Sequence, residues 1–320
     1  MNLLKPNGRV NFVIKNHCIR YTYSTSPDKK QLDDSGEIHL PSHVMEDGKV
    51  KDLPEFTATI ENFVENKGWK KKALYFTVPD HSVVIRPFDV PSSLKEDEMK
   101  GYLYMQLGET LHLPFENPSF DYIIINSGEE IMKLLLFAYP EEQIRTFERV
   151  FKQAKLKPKA ADISALSIFR LYEQMEEWSA QDHLLVIDWN MDGCVLTVFH
   201  QDRPAFINHT RSPLPMNLWK RERGAYVWQG QEGAPLDFTY DQINEIERIM
   251  DFYRFSVMNG KAGVSKVLIT GDWPEKERVM QWVKEKSIPA VTLDHSAILI
   301  ENNDQRFDSY IDAVGLSMKP

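Results

Sequence analysis

The chain has 320 residues and a formal net charge of −9, with 42% hydrophobic and 27% charged residues, which is typical of a well-cored soluble protein of about two domains. The acidic balance argues against a general binder of nucleic acid or of an anionic membrane, and the two cysteines fit a reducing compartment. Only 15 residues are glycine, against an average near ~7%, which disfavours a site that wraps phosphate groups with backbone.

The first part of the chain predicts a three-stranded meander, then a helix, then a strand. β-branched and aromatic residues favour the strands, and apolar residues at helical spacing favour the helix. The predicted elements are Val10 to Ile14, Ile19 to Ser24, Glu37 to Leu40, a helix over Phe56, Ile60, Phe63 and Val64, and Ala73 to Val78.

The middle of the chain predicts a small α+β unit of different character. The longest apolar run, Leu134 to Tyr139, is too short to span a bilayer, so we expect a cytoplasmic protein without a membrane segment. The predicted elements are a strand from Val83 to Val90, a helix from a capping box at Ser93 to about Leu111, strands Phe120 to Ile125 and Ile131 to Tyr139, and a helix over Ile144, Phe147, Val150 and Phe151.

The third part repeats the order of the first. Its predicted elements are strands Leu184 to Asp188, Cys194 to Phe199 and Pro204 to Thr210, a polar loop from Trp219 to Gly233, a helix behind a capping box at Thr239, a strand from Val267 to Thr270, a helix with Asp272 as N-cap, and a last helix from about Arg306 to Leu316. The repeat predicts an α/β fold of two ribonuclease-H-like units, the architecture of the actin-like ATPases, with a small α+β domain inserted.

The predicted boundaries follow from this repeat. Residues 1–82 with 155–182 and the helix at 306–320 form the first actin-like subdomain, and residues 83–154 form the inserted domain. Residues 183–305 form the second half, with a helical subdomain at about 216–262.

A series of motifs in the inserted part points to a known family. They are, in order, Arg86-Pro87-Phe88-Asp89-Val90-Pro91, a capped helix with Tyr102 and Gln106, Leu113-Pro114-Phe115, and Asp121-Tyr122. This order resembles PilM, the actin-like, FtsA-related family of type IV pilus assembly proteins. Leu185 to Asp188 and Tyr310 to Leu316 resemble the second phosphate strand and the closing helix of the family, so the resemblance covers nearly the whole chain.

The chain departs from this family in the first phosphate loop. PilM relatives open with a strand that reads G-I-D-I-G-S-S-S-V-K. Here Val13 stands in place of the acidic residue that would organise Mg²⁺, and Lys15 stands in place of a glycine, with Asn16 next to it. A lysine near phosphates could attract them, but hydrolysis also needs metal ligands and a positioned water, and Val13 supplies no ligand.

The other two loops depart as well. In the second phosphate loop Asp188 is kept, but Asn190 and Asp192 replace small neutral residues, and a carboxylate about ~4 Å from a phosphate would repel it by ~4 kcal/mol at an effective dielectric of about 20. The adenosine loop reads Thr270-Gly271-Asp272-Trp273 where relatives have consecutive glycines. We expect Trp273 to fill the base pocket, although it could stack on a base instead.

These departures predict a scaffold that has lost ATP hydrolysis and also ATP binding, with no catalytic residue, metal or cofactor. The resemblance implies that it binds the N-terminal peptide of a PilN-like inner-membrane protein in a groove near Arg86, Tyr102, Gln106 and Phe115. It would serve a type IV pilus or a related secretion or competence pseudopilus, with the pilus motor ATPase as a further candidate partner. It would bind no nucleic acid and would not insert into the membrane directly, and it would associate with the membrane peripherally through its partner.

Two other functions fit parts of the sequence. A working actin-like ATPase or a sugar-kinase relative would share the fold and would use Asp188, Asn16 and Gly271. A ribonuclease-H-like nuclease needs several carboxylates that converge on two metal ions, and Val13 removes the acid expected on the first strand.

Two short segments stand apart from these motifs. The first residues, Met1 to Pro6, resemble the I-N-L-L-P peptide of PilN proteins and could occupy the groove themselves, although short motifs often match by chance. Lys70-Lys71-Lys72 follows the end of a predicted helix, and we interpret it as a complement to the negative end of that helix.

Overall fold

The computed structural model describes residues 8–26, 31–175, 178–222, 225–291, 293, 299–300 and 307–320. The chain forms two compact units, of which the larger comprises Met1–His81 with Val150–Pro320 and the smaller comprises Ser82–Arg149. The segment predicted to mimic a partner peptide, Met1 to Pro6, lies outside the described residues.

Strands and helices occur along the whole chain. The first are β1 (Arg9–Ile14), β2 (Cys18–Ser24), β3 (Asp34–His39), α1 (Leu53–Asn66) and β4 (Ala73–Thr77). Then come β5 (Val84–Pro91), α2 (Glu96–Met105), β6 (Pro118–Ser127), β7 (Ile131–Pro140), α3 (Glu141–Gln153), β8 (Lys157–Asp162) and α4 (Ser164–Met175).

The second half of the chain also contains both strands and helices. Its main elements are β9 (Leu184–Asn190), β10 (Gly193–His200), β11 (Arg203–Arg211), β12 (Trp219–Glu222), β13 (Ala225–Trp228), α5 (Ala234–Phe252), β14 (Lys266–Thr270), α6 (Lys276–Glu285), β15 (Ala290–Val291) and α7 (Phe307–Ser317). Shorter pieces are the strands Gln31–Leu32, Met45–Glu46, Lys49–Val50 and Leu299–Ile300, the 3-10 turns Asp80–Ser82 and Met216–Leu218, and a π-helical turn at Tyr253–Val257.

Two five-stranded sheets of the larger unit have the same topology. The first sheet has the order β8-β4-β1-β2-β3 and the second has the order β11-β10-β9-β14-β15. In each, three antiparallel strands are followed by two parallel ones. The predicted duplication is therefore confirmed, and we call the two halves of the larger unit lobe 1 and lobe 2.

Helices α4 and α7 lie against each other and join the lobes. They cross so closely that a Cβ atom added to Gly315 of α7 would lie 1.8 Å from the carbonyl oxygen of Ser167 in α4. One side of α7 packs on Val13 of lobe 1. Helix α4 shares its core with the second sheet through Ile168 and Phe169.

Helix starts differ most from the sequence-based expectations. Helix α2 begins at Glu96 rather than behind Ser93 and ends at Met105 rather than Leu111, and Glu98 accepts the backbone N–H of Lys95 at 3.1 Å. Helix α5 begins at Ala234, so its N-cap is Gly233 and the predicted cap at Thr239 lies inside the helix.

The stretch predicted as a polar loop, Trp219 to Gly233, contains a β-hairpin. Strands β12 and β13 pair antiparallel with Trp219 opposite Trp228, and the two indole rings lie 4.9 Å apart. The region 216–262 therefore contains a hairpin followed by a helix.

The smaller unit has its own core. Its sheet has the order β5-β7-β6, all antiparallel, and α2 covers one face. Met132, Leu134, Leu136 and Ala138 alternate along β7, as expected for a strand with one face buried. Met99 and Leu103 of α2 pack into the same core.

Among the helices of the described residues, none combines the length and the apolar character that a membrane crossing requires.

Candidate functional site

The three loops that depart from the family pattern meet between lobe 1 and lobe 2. The turn after β1 approaches the turn after β9, because the backbone N–H of Asn16 donates to a carboxylate oxygen of Asp192 at 3.0 Å. The side-chain oxygen of Asn16 in turn accepts the backbone N–H of Gly48 at 2.9 Å. Asn16 is thus a structural link between the lobes.

Lys15 is buried at the centre of this contact and is held by three carboxylates. Its Nζ lies 3.0 Å from Asp188, 3.3 Å from Asp80 and 3.8 Å from Asp312, and the side chain is 4% exposed. Burial opposes the charged form, but these three carboxylates outweigh it and raise the pKa of Lys15 well above its ordinary value. The ammonium group is therefore charged and fully engaged within the protein.

Arg20 forms a second set of contacts across the same cleft. One guanidinium nitrogen donates to Asp312 at 2.8 Å, and another donates to Asp272 at 2.8 Å and to Asn190 at 2.7 Å. Asn190 also donates to Asp188 at 2.8 Å, so this asparagine connects the Arg20 contacts to the Lys15 contacts.

Asp272 belongs to this set and not to a helix cap. It accepts from Arg20, from the backbone N–H of Met191 at 2.9 Å, and from the His17 ring nitrogen Nε2 at 2.7 Å, while α6 begins only at Lys276. Burial would raise the pKa of Asp272, but His17 and Arg20 outweigh it and hold the pKa well below its usual range. The predicted N-cap at Asp272 is wrong because these lobe-spanning partners take its carboxylate.

We call the buried charged residues of this cleft the interlobe ion cluster. Its members come from both lobes and from α7; they are Lys15, His17, Arg20, Asp80, Asp188, Asp272 and Asp312.

One corner of the cluster has the donor types of a metal site. Ligand atoms of His17, Cys18 and Asp272 lie within 4.8 Å of one another. However, the same Asp272 oxygen already lies 2.8 Å from Arg20 and 2.7 Å from His17. A metal ion there would displace two charged donors and be repelled by Arg20, so the geometry is that of an ion pair.

Little space remains where the turns after β1 and β9 face each other. A cavity of about 10 Å³, which holds no more than one water molecule, is lined by Lys15, Asp80, His81, Asn190 and Asp192 among others.

A wider cleft of about 460 Å³ adjoins this cavity. Three carboxylates line it, those of Glu46, Asp47 and Asp192, and its arginine, Arg211, is paired with Asp47 at 2.8 Å. Burial would raise the pKa of Asp192, but the charges of His17, His81 and Lys15 lower it, so this carboxylate is ionised. The carboxylates of this lining thus outnumber its one arginine.

Trp273 lies in the core of lobe 2. It is 1% exposed, its ring stacks on Trp189 with centroids 5.3 Å apart at 5°, and its indole N–H donates to the Thr239 hydroxyl at 3.0 Å. The rings of Phe238 and Trp219 also pack against Trp273, with centroid distances of 5.4 and 5.6 Å.

Val13 and Gly271 have structural roles at this site. Val13 is fully buried and packs on Ala313 and Leu316 of α7. Gly271 has a φ of 105°, and a Cβ atom there would lie 1.9 Å from the carbonyl oxygen of Trp189. Gly271 is therefore required by the packing of β14 against β9.

The four residues expected at a peptide groove all belong to the smaller unit. Arg86 donates to the carbonyl oxygen of His112 at 2.7 Å, and Tyr102 and Phe115 pack half-buried against the core of the unit. Gln106 is the C-cap of α2, and its side-chain oxygen accepts a hydrogen bond from the Thr110 hydroxyl at 2.6 Å. Arg86 and Gln106 both brace the loop that follows α2.

Sequence reasoning missed four members of the ion cluster. They are His17, Arg20, Asp80 and Asp312. Two of them carried a signal, because Arg20 lies within a predicted strand and Asp312 within an apolar helix, where a charge needs a partner.

The pH dependence of stability tests the His17–Asp272 contact. Burial lowers the pKa of His17, but its neighbours Cys18 and Asp272 outweigh this effect and raise the pKa well above its ordinary value. The contribution of His17 is then complete below its unfolded value near ~6.5 and lost as the pH rises through the folded pKa. We expect the free energy of unfolding to fall by up to ~1.4 kcal/mol per pH unit above pH ~6.5, and His17→Gln to remove this slope in urea titrations.

The matched control is His112→Gln, an exposed histidine of the smaller unit, which should leave the slope unchanged. Equal slopes for the wild type and His17→Gln would show that His17 gains no proton on folding.

Several solved structures share this architecture. The PilM–PilN type IV pilus biogenesis complex matches with a TM-score of 0.77 and 14% identity over 98% of this chain and 99% of that chain. A Bacteroides thetaiotaomicron protein with an actin-like ATPase fold and unknown function matches with a TM-score of 0.52 and 11% identity, over 99% of this chain and 97% of its own. The ethanolamine utilization protein EutJ from Carboxydothermus hydrogenoformans matches with a TM-score of 0.51 and 9% identity, over 99% and 91%.

These matches and the duplicated sheets define the class: the protein has the actin-like ATPase fold. No curated protein sequence gives a match. The model of the type IV pilus assembly protein PilM matches residues 17–211, well over half of the chain, and the chain belongs to this family.

Proposed function

We propose that this protein is a non-enzymatic scaffold of PilM type that binds the N-terminal peptide of a PilN-like inner-membrane protein. It acts in the cytoplasm during assembly of a type IV pilus or a related secretion or competence pseudopilus, and it meets the membrane through that partner. The pilus motor ATPase is a second candidate partner. Family membership supports the pilus role, and the solved PilM–PilN complex with the same fold supports the choice of partner.

The interlobe ion cluster is the observation that carries the non-enzymatic part of this proposal. Nucleotide hydrolysis in this kind of cleft depends on a metal ion and a positioned water between the lobes. Here the Lys15 ammonium supplies the positive charge between Asp80 and Asp188, and it is covalently part of the chain. Trp273 is buried in lobe 2 beside Gly271. The family resemblance assigns this position to the adenosine loop.

Two further observations support the proposed loss of nucleotide binding. The cavity between the phosphate loops has a volume of only about 10 Å³. The adjoining cleft carries the ionised Asp192. Nucleotide binding would therefore require the lobes to separate and several buried ion pairs to break.

The peptide-binding part rests on the smaller unit. Tyr102 and Phe115 offer half-buried aromatic surface, and Arg86 and Gln106 offer polar groups beside it. Extended peptides are commonly held in this way, by apolar contacts with a few polar anchors.

Isothermal titration of the purified chain with two ligands tests the proposal. We expect no binding heat with ATP and Mg²⁺, and measurable binding of a synthetic peptide that carries I-N-L-L-P. Tyr102→Ala should weaken the peptide about tenfold, because removal of a contact aromatic costs more than ~1 kcal/mol.

Tyr240→Ala, an exposed tyrosine of α5 in the larger unit, is the matched control and should bind as the wild type does. Micromolar ATP affinity that is lost in Asp188→Ala would instead favour the working ATPase. Failure of the peptide to bind, or equal effects of the two tyrosine variants, would remove the proposed groove.

A further inference from the structure

A cluster of lysines lies at one end of the first sheet, away from the ion cluster. Two backbone hydrogen bonds hold it together: Lys71 N–H donates to the carbonyl oxygen of Lys155 at 2.7 Å, and Lys157 N–H donates to that of Lys72 at 2.9 Å. Lys157 lies opposite Ala73 at the start of two parallel strands. We call Lys71, Lys72, Lys155, Lys157 and Lys159 the lysine patch.

Within the described parts of the chain, the ammonium groups of this patch have no carboxylate partner, although that of Lys72 lies 5.9 Å from the centroid of the Tyr23 ring. Lys71, Lys155, Lys157 and Lys159 are exposed and Lys72 is partly exposed, and none of the five has a carboxylate partner among the residues that the structure describes. Lys70 and Lys67 at its border, by contrast, are paired with Glu65 and Asp34. A protein with a net charge of −9 thus carries one rigid surface of concentrated positive charge.

Complementing the end of α1, the function that sequence order suggested for Lys70-Lys71-Lys72, does not account for the patch. Helix α1 ends at Asn66 and has no basic residue in its last turn, and three of the five lysines come from the segment after α3. Only the pairing of β8 with β4 brings the two segments together.

Protection of a sheet edge does not account for the patch either. Strand β8 is the edge strand of the first sheet, and exposed lysines are a common way to prevent edge-to-edge pairing. That explanation applies to Lys157 and Lys159, but β8 also carries Pro158 and an irregularity beside it, which already interrupt pairing.

Two patch lysines occupy unfavourable backbone positions. Lys71 and Lys155 have φ values of 71° and 64°, a left-handed conformation that glycine adopts without penalty and that other residues rarely adopt. The chain keeps a positive charge at both positions in spite of this, which indicates that the charge itself is used.

The composition of the patch selects among partners. Lysine is depleted at protein interfaces, where aromatic residues and arginine provide the anchors, and the exposed large apolar side chains of the described residues lie elsewhere on the molecule. A set of flexible ammonium groups without an apolar anchor suits a fluid array of phosphate groups.

We propose that the lysine patch binds the anionic headgroup surface of a lipid bilayer. The net acidic charge argues against a general membrane binder, but the patch gives lobe 1 one attractive surface and so orients the protein on the bilayer. This contact is independent of the proposed peptide binding and requires no partner protein.

Vesicle flotation of the full chain tests this proposal. We expect binding to vesicles that contain phosphatidylglycerol, no binding to pure phosphatidylcholine vesicles, and loss of binding at high salt. The double variant Lys71→Gly/Lys155→Gly should bind about 30-fold more weakly, since each lysine near an anionic surface contributes about fivefold. Glycine suits both left-handed positions, so this variant should fold.

The control is Lys261→Gln/Lys284→Gln, which removes the same charge from exposed positions of lobe 2 and should bind as the wild type does. Circular dichroism verifies the fold of both variants. The proposal is overturned by equal binding to the two kinds of vesicle, or by equal losses in the patch and control variants. Patch-dependent binding of a polyglutamate peptide without vesicle binding would also overturn it, in favour of an acidic protein partner.

Discussion

Lys15→Met is expected to lower the free energy of unfolding by about 3–5 kcal/mol, the cost of removing one partner from a buried ion pair. Methionine keeps most of the volume, so the loss reports charge and not a cavity. Without the ammonium group, Asp188, Asp80 and Asp312 remain buried with one cation fewer between them. Urea denaturation at neutral pH measures the effect.

Lys51→Met is the matched control. Lys51 is paired with Glu46 at 3.1 Å, but both side chains are about half exposed or more, and such surface pairs contribute at most ~1 kcal/mol. The double variant Lys15→Met/Asp188→Asn should recover part of the lost stability, because it also removes one of the stranded charges. If Lys15→Met were no more costly than Lys51→Met, the cluster would not be what holds the lobes together.

Gly271→Ala is expected to cost more than ~4 kcal/mol, a range reached only through a specific structural conflict. The new Cβ would lie 1.9 Å from the Trp189 carbonyl oxygen and 2.5 Å from its carbon. Since β9 and β14 are paired at Asp188 and Thr270 just before this point, neither backbone can move without breaking the sheet. The clash would also displace Asp272 and Trp273, which follow directly.

Gly233→Ala separates the steric effect from the backbone effect. Gly233 also has a positive φ, of 83°, but nothing lies within 4 Å of its added Cβ, so this variant should lose only the ~1–2 kcal/mol of a left-handed alanine. Thermal midpoints compare the two variants. Similar midpoints would mean that Gly271 is kept for its conformation alone, without the close approach to Trp189.

Local patterns predicted the strands of both sheets well. The predicted Val10 to Ile14 and Leu184 to Asp188 fall inside the observed β1 and β9, because β-branched residues in short runs between turns carry that information locally. The repeat of strand order then followed from counting elements, and it indicated the duplicated fold before any contact was known.

Helix caps were predicted poorly for a physical reason. Asp272 followed by Pro274 has the chemistry of an N-cap, but the same carboxylate serves Arg20 and His17, which lie far away along the chain. Thr239 likewise accepts the indole N–H of Trp273 inside α5. A local signal cannot reveal that a distant partner competes for the same side chain.

The sequence indicated where the candidate site lies, but it did not indicate the contacts within it. The departures at Val13, Lys15 and Asp192 located the cleft, and Lys15 looked able to attract phosphate. Its three carboxylates, Asp80, Asp188 and Asp312, come from separate elements, and only the fold brings them within reach of one nitrogen.

The interlobe ion cluster has a consequence for timing. A cleft closed by a bound nucleotide opens when the nucleotide leaves, so its shape follows the energy state of the cell. Lys15 and Arg20 cannot diffuse away, and the charges that join the lobes are present as soon as the chain has folded. A protein of this family that binds no nucleotide, as we propose for this one, would keep the same arrangement of its lobes in a starved and in a growing cell, and the timing of assembly would have to come from another component.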